Sequence, residues 1–88
     1  MPQKLFMFEE MEVGAFDESE LPQRPGRCRY EPYRGPGHHD MQEHLLAGRS
    51  PRCYYDADDI RVSFSVRSCP DYGVLEIFDV ETEPRPAA

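Results

Sequence analysis

Apolar and polar residues alternate most regularly over residues 60–66, in the segment IRVSFSV. This period of two is typical of a β-strand with one buried face. The segment 74–81 (VLEIFDVE) is rich in strand-forming residues but has apolar side chains on both sides of the alternation, as in a central or covered strand. Together with residues 52–55 and the short acidic connection 56–59, the pattern predicts a three-stranded antiparallel meander.

Shorter stretches of the same kind occur in the first half of the chain. Residues 5–8 and 11–16 predict two short strands, or one strand interrupted by a bulge. Residues 27–33 (RCRYEPY) predict a further strand, which Pro32 restricts to an edge or to the end of the strand. Residues 17–26 contain two prolines and a glycine and are typical of a loop.

A helical period of apolar positions occurs over residues 36–47, where Met41 and the residues three and four positions later would share one face. Gly35 suits the N-cap, Pro36 suits the first helical position, and Gly48 suits the left-handed position that ends a helix. The elements together predict an α+β fold. We expect a small, twisted, mostly antiparallel sheet of about five strands, able to curl into an open barrel, with one short helix between strands 3 and 4.

Length and composition predict one small domain with a thin, aromatic-rich core. The 88 residues include five Phe and five Tyr, and each aromatic side chain buries about 150–250 Å². We expect this domain to cover residues 1–83 and to be followed by a frayed tail over residues 84–88. No apolar run approaches the roughly 18–20 residues of a membrane span, and residues 1–10 do not resemble a signal peptide. The expected location is therefore cytoplasmic, with no membrane partner.

The charges are unevenly distributed in a chain whose formal net charge is -7. Residues 24–52 carry six Arg against three acids, whereas both flanking segments are strongly acidic. One interpretation pairs these arginines with the flanking acids across strands; the other leaves them on a basic face that could contact a partner or a second copy. Nucleic acid is the disfavoured partner, because an acidic chain neutralises phosphates poorly.

The segment RGPGHHD (residues 34–40) has the composition of a helix start that could hold an anion. Free N–H groups of a first helical turn, with Arg34, Gly35, Gly37, His38 and His39 beside them, could bind a phosphate-bearing ligand or single-stranded nucleic acid. The same letters are also ordinary turn chemistry, and no Walker or dinucleotide motif accompanies them. This site is therefore an alternative rather than the leading prediction.

Metal and enzyme chemistry have weaker support. His39 and Glu43 are four residues apart and share a helix face, but His44 would lie on another side, so no metal site and no cofactor is predicted. Cys28, Cys53 and Cys69 are far apart with no CxxC, which predicts reduced thiols rather than a disulfide framework. No thiol is marked as a nucleophile, so no catalytic residue is assigned, and a Cys/His enzyme or metal site is only a further alternative.

The leading prediction comes from the interleaved arginines and tyrosines of residues 27–35. On a strand, Arg27, Arg29 and Tyr33 would share one face, with Cys28 and Tyr30 on the other. Arg and Tyr are enriched in the energetically dominant positions of protein interfaces. Arg34 follows Tyr33 directly and is included, so the predicted contacts are Arg27, Arg29, Tyr33 and Arg34. We expect a non-catalytic protein-interaction module, for which another protein, a second copy or a small anion are the candidate partners.

Overall fold

The computed structural model describes residues 2–86 and contains, within them, one sheet of seven β-strands and one α-helix. The strands are β1 (Gln3–Phe8), β2 (Met11–Asp17), β3 (Gly26–Arg29), β4 (Glu31–Pro32), β5 (Arg52–Ala57), β6 (Ile60–Ser68) and β7 (Val74–Pro84). The helix α1 spans Pro36–Leu46, and a 3-10 turn spans Glu18–Glu20. The predicted α+β class is confirmed.

The sheet curls so far that its two edge strands belong to one short segment. The strand order is β3-β7-β6-β5-β1-β2-β4, and each neighbouring pair is antiparallel. β3 and β4 lie at opposite ends of this order, yet only Tyr30 separates them in the sequence. Residues 26–32 therefore bond first to β7 and then to β2, which makes the sheet a nearly closed barrel.

The predicted number of strands and the predicted place of the helix are both wrong. Residues 27–33 form two strands rather than one, because the chain changes bonding partner at Tyr30. Residues 3–17 form a hairpin, β1 and β2, with a register shift between Phe6 and Met7. The sheet thus has seven strands instead of about five, and α1 follows the fourth strand instead of the third.

The predicted meander forms, and the helix spans nearly the predicted residues, although it follows the fourth strand. β5, β6 and β7 pair in succession, and β7 continues to Pro84, which lies opposite Ile60. The N–H of Arg85 donates to the carbonyl of Asp59 at 2.8 Å, so bonding reaches into the segment that the sequence predicts as frayed; its last two residues, Ala87 and Ala88, lie outside the described residues, as does Met1.

The helix ends close to its predicted boundary. Ala47 is the C-cap, and Gly48 follows in the left-handed conformation with φ of 77°, which glycine adopts without steric cost. Met41 is the fully buried residue of its apolar stripe. Within residues 2–86, no helix combines the length and apolar character needed to cross a membrane.

Aromatic side chains fill the interior of the barrel. Phe6 stacks on Phe16 with ring centroids 4.4 Å apart, and Phe64 contacts both rings at 6.0–6.2 Å. Tyr55 packs beside Phe64, and its hydroxyl donates to the carbonyl of Pro22 at 2.7 Å. This hydrogen bond attaches the loop between β2 and β3 to the core.

We expect Tyr55→Phe to lower the free energy of unfolding by about 1–2 kcal/mol, because the buried Pro22 carbonyl loses its donor while the ring still fills its site. Urea denaturation measures the loss. Tyr54→Phe is the matched control, since Tyr54 lies outside the barrel, below the Arg61 guanidinium. Equal effects of the two substitutions would contradict a structural role for the Tyr55 hydroxyl.

Candidate functional site

The structure distributes the predicted site residues over three places. Arg27 and Arg29 lie on β3, at one edge of the sheet. Tyr33, Arg34, Gly35 and Gly37 line a groove of about 240 Å³ at the start of α1, next to β2. His38 and His39 follow on the first turn of α1, but His38 lines a different cleft and His39 is exposed.

The outer face of β3 carries the two arginines. Arg27 and Arg29 are exposed, whereas Cys28 and Tyr30 are half-buried against the core. Tyr33 does not extend this face, because the chain leaves β3 at Tyr30 and the N–H of Tyr33 donates to Val13 on β2 at 3.0 Å. The arginine and tyrosine side chains therefore do not form the continuous surface that a single strand would have given.

Most other arginines of the barrel exterior are ion-paired. Arg52 lies 3.2 Å from Glu81, Arg67 lies 3.4 Å from Glu76, and Arg85 lies 3.6 Å from Asp56. Arg61 also pairs with Asp56, through two hydrogen bonds of 2.7 and 3.1 Å that lower the pKa of this carboxyl group. Arg61 and Arg67 in addition lie over the rings of Tyr54 and Phe78, at 4.1 and 4.3 Å from the ring centroids.

A second group of arginines makes no ion pair with any residue of the range 2–86. Its members are Arg24, Arg27, Arg29, Arg34 and Arg49, of which Arg49 donates a hydrogen bond to His44. The register explains this for β3: Arg27 lies opposite Glu76, which already pairs with Arg67, and Arg29 lies opposite Val74. We call the outer edge of β3, with the side chains of Arg27 and Arg29, the basic edge.

Three grooves border the basic edge; the smallest, of about 160 Å³, is lined by Arg29 together with Asp17 of β2 and Glu20, and the other two are larger. One, of about 580 Å³, lies between β3 and the preceding loop and is lined by Arg24, Arg27 and Glu18 among others. The second, of about 390 Å³, is lined by both arginines of the basic edge together with Glu20 and Asp71. The edge is therefore concave and accessible, and it carries both signs of charge.

Gly37, in the first turn of α1, is packed against β2. A Cβ built on Gly37 would lie 2.8 Å from the Cβ of Met11 and would overlap the carbonyl of Glu12. Gly37 is accordingly buried, so this part of the first turn faces β2. His39 lies 3.2 Å from Glu43, the pair whose shared helix face was predicted. RGPGHHD thus brings the helix close to the sheet, a role that explains its glycine at position 37.

A cleft of about 500 Å³ separates α1 from the loop between β6 and β7. Inside it, the Tyr30 hydroxyl and the Gln42 amide lie 3.2 and 3.4 Å from Nε2 of His38. Burial, and secondly the charge of His39, lower the pKa of His38, which favours a neutral imidazole. No pattern in the sequence indicates that Tyr30, His38 and Gln42 meet, because they come from a strand junction and from two turns of a helix. Tyr72, which is 90% exposed, also lines this cleft.

Cys28 and Cys53 are poorly suited to nucleophilic chemistry. Burial raises the pKa of Cys53 to about 12, and burial together with Glu20 raises the pKa of Cys28. Protonated thiols are weak nucleophiles. Residues 27–30 (RCRY) and 52–55 (RCYY) share the pattern R-C-x-Y but do not pair, since β3 bonds to β7 whereas β5 bonds to β1 and β6, and the three cysteines are free. Among residues 2–86, no group of three or more His, Cys, Asp or Glu is arranged to hold a metal ion.

The basic edge is thus the surface with the most unpaired positive charge, and the cleft beside α1 is a separate, mainly uncharged feature. Comparison with known proteins adds no candidate: no family model, no curated protein and no solved structure matches the chain. A functional proposal therefore has to rest on the geometry of these surfaces.

Proposed function

We propose that the protein is a non-catalytic protein-interaction module that binds an acidic segment of a partner protein, with Arg27 and Arg29 as the central contacts. The observation that carries the proposal is that these two exposed guanidinium groups make no ion pair among residues 2–86, whereas the arginines on β5 and β6 and the one that follows β7 are paired. Tyr33 and Arg34 lie near the start of α1 and would be peripheral contacts.

An unpaired guanidinium is the better interface residue for an energetic reason. A paired arginine has to give up its own carboxylate before it can bind another, so little free energy is gained. Arg27 and Arg29 have no such partner among residues 2–86 and stand on a strand whose backbone is fixed by β7. They can therefore form charge-assisted, bidentate hydrogen bonds with a partner's carboxylates at a small ordering cost.

The acidity of the rest of the chain supports specificity. A formal net charge of -7 repels an acidic partner from most of the surface. Binding at the basic edge would favour one orientation of the partner, because an approach over most of the remaining surface brings like charges together.

We expect the double variant Arg27→Ala/Arg29→Ala to bind poly-L-glutamate at least about tenfold more weakly than the unchanged protein, since each arginine at the centre of an interface contributes roughly 1 kcal/mol or more. Binding is measured by isothermal titration calorimetry at low and at physiological salt. The double variant Arg67→Ala/Arg85→Ala is the matched control, because it removes the same charge from paired positions. Circular dichroism establishes that both variants are folded.

Two results would contradict the proposal. Equal weakening by both double variants would mean that only the net charge matters. Amide shifts confined to Gly35–Asp40 on titration with inorganic phosphate or a short single-stranded oligonucleotide, without binding of poly-L-glutamate, would instead favour the anion-binding alternative at the start of α1.

A further inference from the structure

The cleft beside α1 has the size and the walls of a small-molecule site. His38, Gln42 and Leu45 are spaced four and three residues apart, so they lie on one face of α1, and this face forms one wall. Residues 68–75, from the end of β6 to the start of β7, form the other wall. The volume of about 500 Å³ lies within the range of roughly 300–1,000 Å³ that is usual for ligand pockets.

Three polar side-chain atoms converge in this cleft. The Tyr30 hydroxyl lies 3.2 Å from Nε2 of His38, and the Gln42 amide nitrogen lies 3.4 Å from the same atom. The Gln42 amide also donates to the Tyr30 hydroxyl at 3.5 Å. A phenol, a neutral imidazole and a carboxamide each carry both a donor and an acceptor. The cluster can therefore present donors and acceptors side by side to a ligand.

The charges that line the cleft favour a neutral ligand. Among residues 2–86, neither Lys nor Arg lines it, and Asp71 is its one acid. Burial, and secondly the charge of His39, lower the pKa of His38, so the imidazole adds no positive charge at neutral pH. An anionic ligand would lose its hydration without gaining a counter-charge and would also meet the Asp71 carboxylate.

The loop wall carries an exposed aromatic ring. Tyr72 is 90% exposed, and within residues 2–86 it stacks on no other ring. Burial and, to a smaller extent, the neighbouring Tyr72 raise the pKa of Tyr30, so the two phenols lie close together. The backbone beside Tyr72 is fixed, because the carbonyl of Gly73 accepts from the N–H of Tyr30 at 2.9 Å. A flat ligand can therefore stack on Tyr72 while its edge reaches the polar cluster.

We propose that this cleft binds a flat, neutral, aromatic molecule that carries an amide or lactam edge, as nucleobases and nicotinamide-like rings do. Such an edge sets an acceptor beside a donor, which is the complement of the cluster formed by Tyr30, His38 and Gln42. The ring stacks on Tyr72. This second site is formed by α1 and the loop between β6 and β7, so the inference goes beyond the proposed function and does not depend on it.

The test uses the full chain and two probes of the same size and shape, quinoline-3-carboxamide and quinoline-3-carboxylate. Both have the same bicyclic ring, but only the carboxamide is neutral and has N–H donors. A ligand of this size should bind with a Kd of about 1 mM or below, which amide-resolved NMR titration measures. We expect saturable shifts at the residues that line the cleft with the carboxamide, and binding of the carboxylate that is at least about tenfold weaker.

Two variants and their matched controls locate the contacts. Tyr72→Ser should weaken the binding of the carboxamide at least about fivefold because the stacking surface is lost, and Gln42→Leu should do the same because the amide edge loses a partner. Leu46→Ala and Gln23→Leu remove similar groups outside the cleft and should leave the affinity within about twofold. None of the four side chains is buried, so each variant should fold, which circular dichroism checks.

Three results would overturn this proposal. Equal affinity for the two probes would mean that the neutral amide edge is not recognised. Unchanged affinity in both Tyr72→Ser and Gln42→Leu would place the ligand outside the cleft. The absence of any saturable shift with the carboxamide up to about 5 mM would show that the cleft does not take this class of ligand. Each of these results leaves the proposed function standing, because that function is tested by poly-L-glutamate and by Arg27→Ala/Arg29→Ala.

Discussion

Replacement of Phe6 by alanine is expected to remove about 3–5 kcal/mol of stability, which is the usual cost of deleting a fully buried phenylalanine ring. Phe6 is 0% exposed, stacks on Phe16 at 4.4 Å, and meets Tyr30 edge-on at 5.7 Å. It thereby joins the first hairpin to the junction of β3 and β4. A domain of this length has a free energy of unfolding of about 4–13 kcal/mol in total. The variant should therefore unfold at a much lower urea concentration than the unchanged protein.

Urea denaturation followed by circular dichroism measures this effect. Leu5→Ala is the control within the same strand, because Leu5 points outward and is 41% exposed. It should cost less than about 1 kcal/mol, since little apolar area returns to water. Similar losses for the two variants would contradict the packing of Phe6 at the centre of the core.

Gly37→Ala should lower the stability by about 1–3 kcal/mol, although alanine normally stabilises a helix relative to glycine by about 1 kcal/mol. The new methyl group would overlap the backbone of Glu12 and come within 2.8 Å of the Met11 Cβ, so α1 would have to move away from β2. Thermal and urea unfolding measure the change.

Gly35→Ala is the matched control two residues earlier. No atom lies within 4 Å of a Cβ at Gly35, and its backbone is extended, so the change should be within about 0.5 kcal/mol of neutral. A gain of stability in Gly37→Ala would show that the first turn is free of β2. The start of α1 would then be open to anions, and the alternative function would regain support.

Elements that depend on one buried face could be predicted from the sequence. β6 alternates in apolar and polar residues because one side faces the core, and the Gly-Pro-Gly segment and Gly48 mark the ends of α1. The predicted number of strands was too low because the junction at Tyr30 depends on the curvature of the whole sheet, which brings β7 and β2 to the same segment. No local pattern records that curvature.

The candidate site was predictable to the same extent. Alternation on β3 was enough to put Arg27 and Arg29 on a common outer face. Their lack of ion pairs could not be predicted, because it depends on the register with β7 and on Arg67, which comes from a third strand and pairs with Glu76. The cluster of Tyr30, His38 and Gln42 likewise arises only when α1 packs beside the strand junction.

The position of residues 26–32 also sets an order for the assembly of the barrel. β4 pairs with β2, which precedes it on the ribosome, whereas β3 has to wait for β7, which is synthesised later, after β5 and β6. Until β7 emerges, β3 exposes both of its edges, and closure requires contacts between distant parts of the sequence, which form slowly. The two arginines make β3 positively charged during that interval, so the β3 segments of neighbouring nascent chains repel each other and are less able to pair.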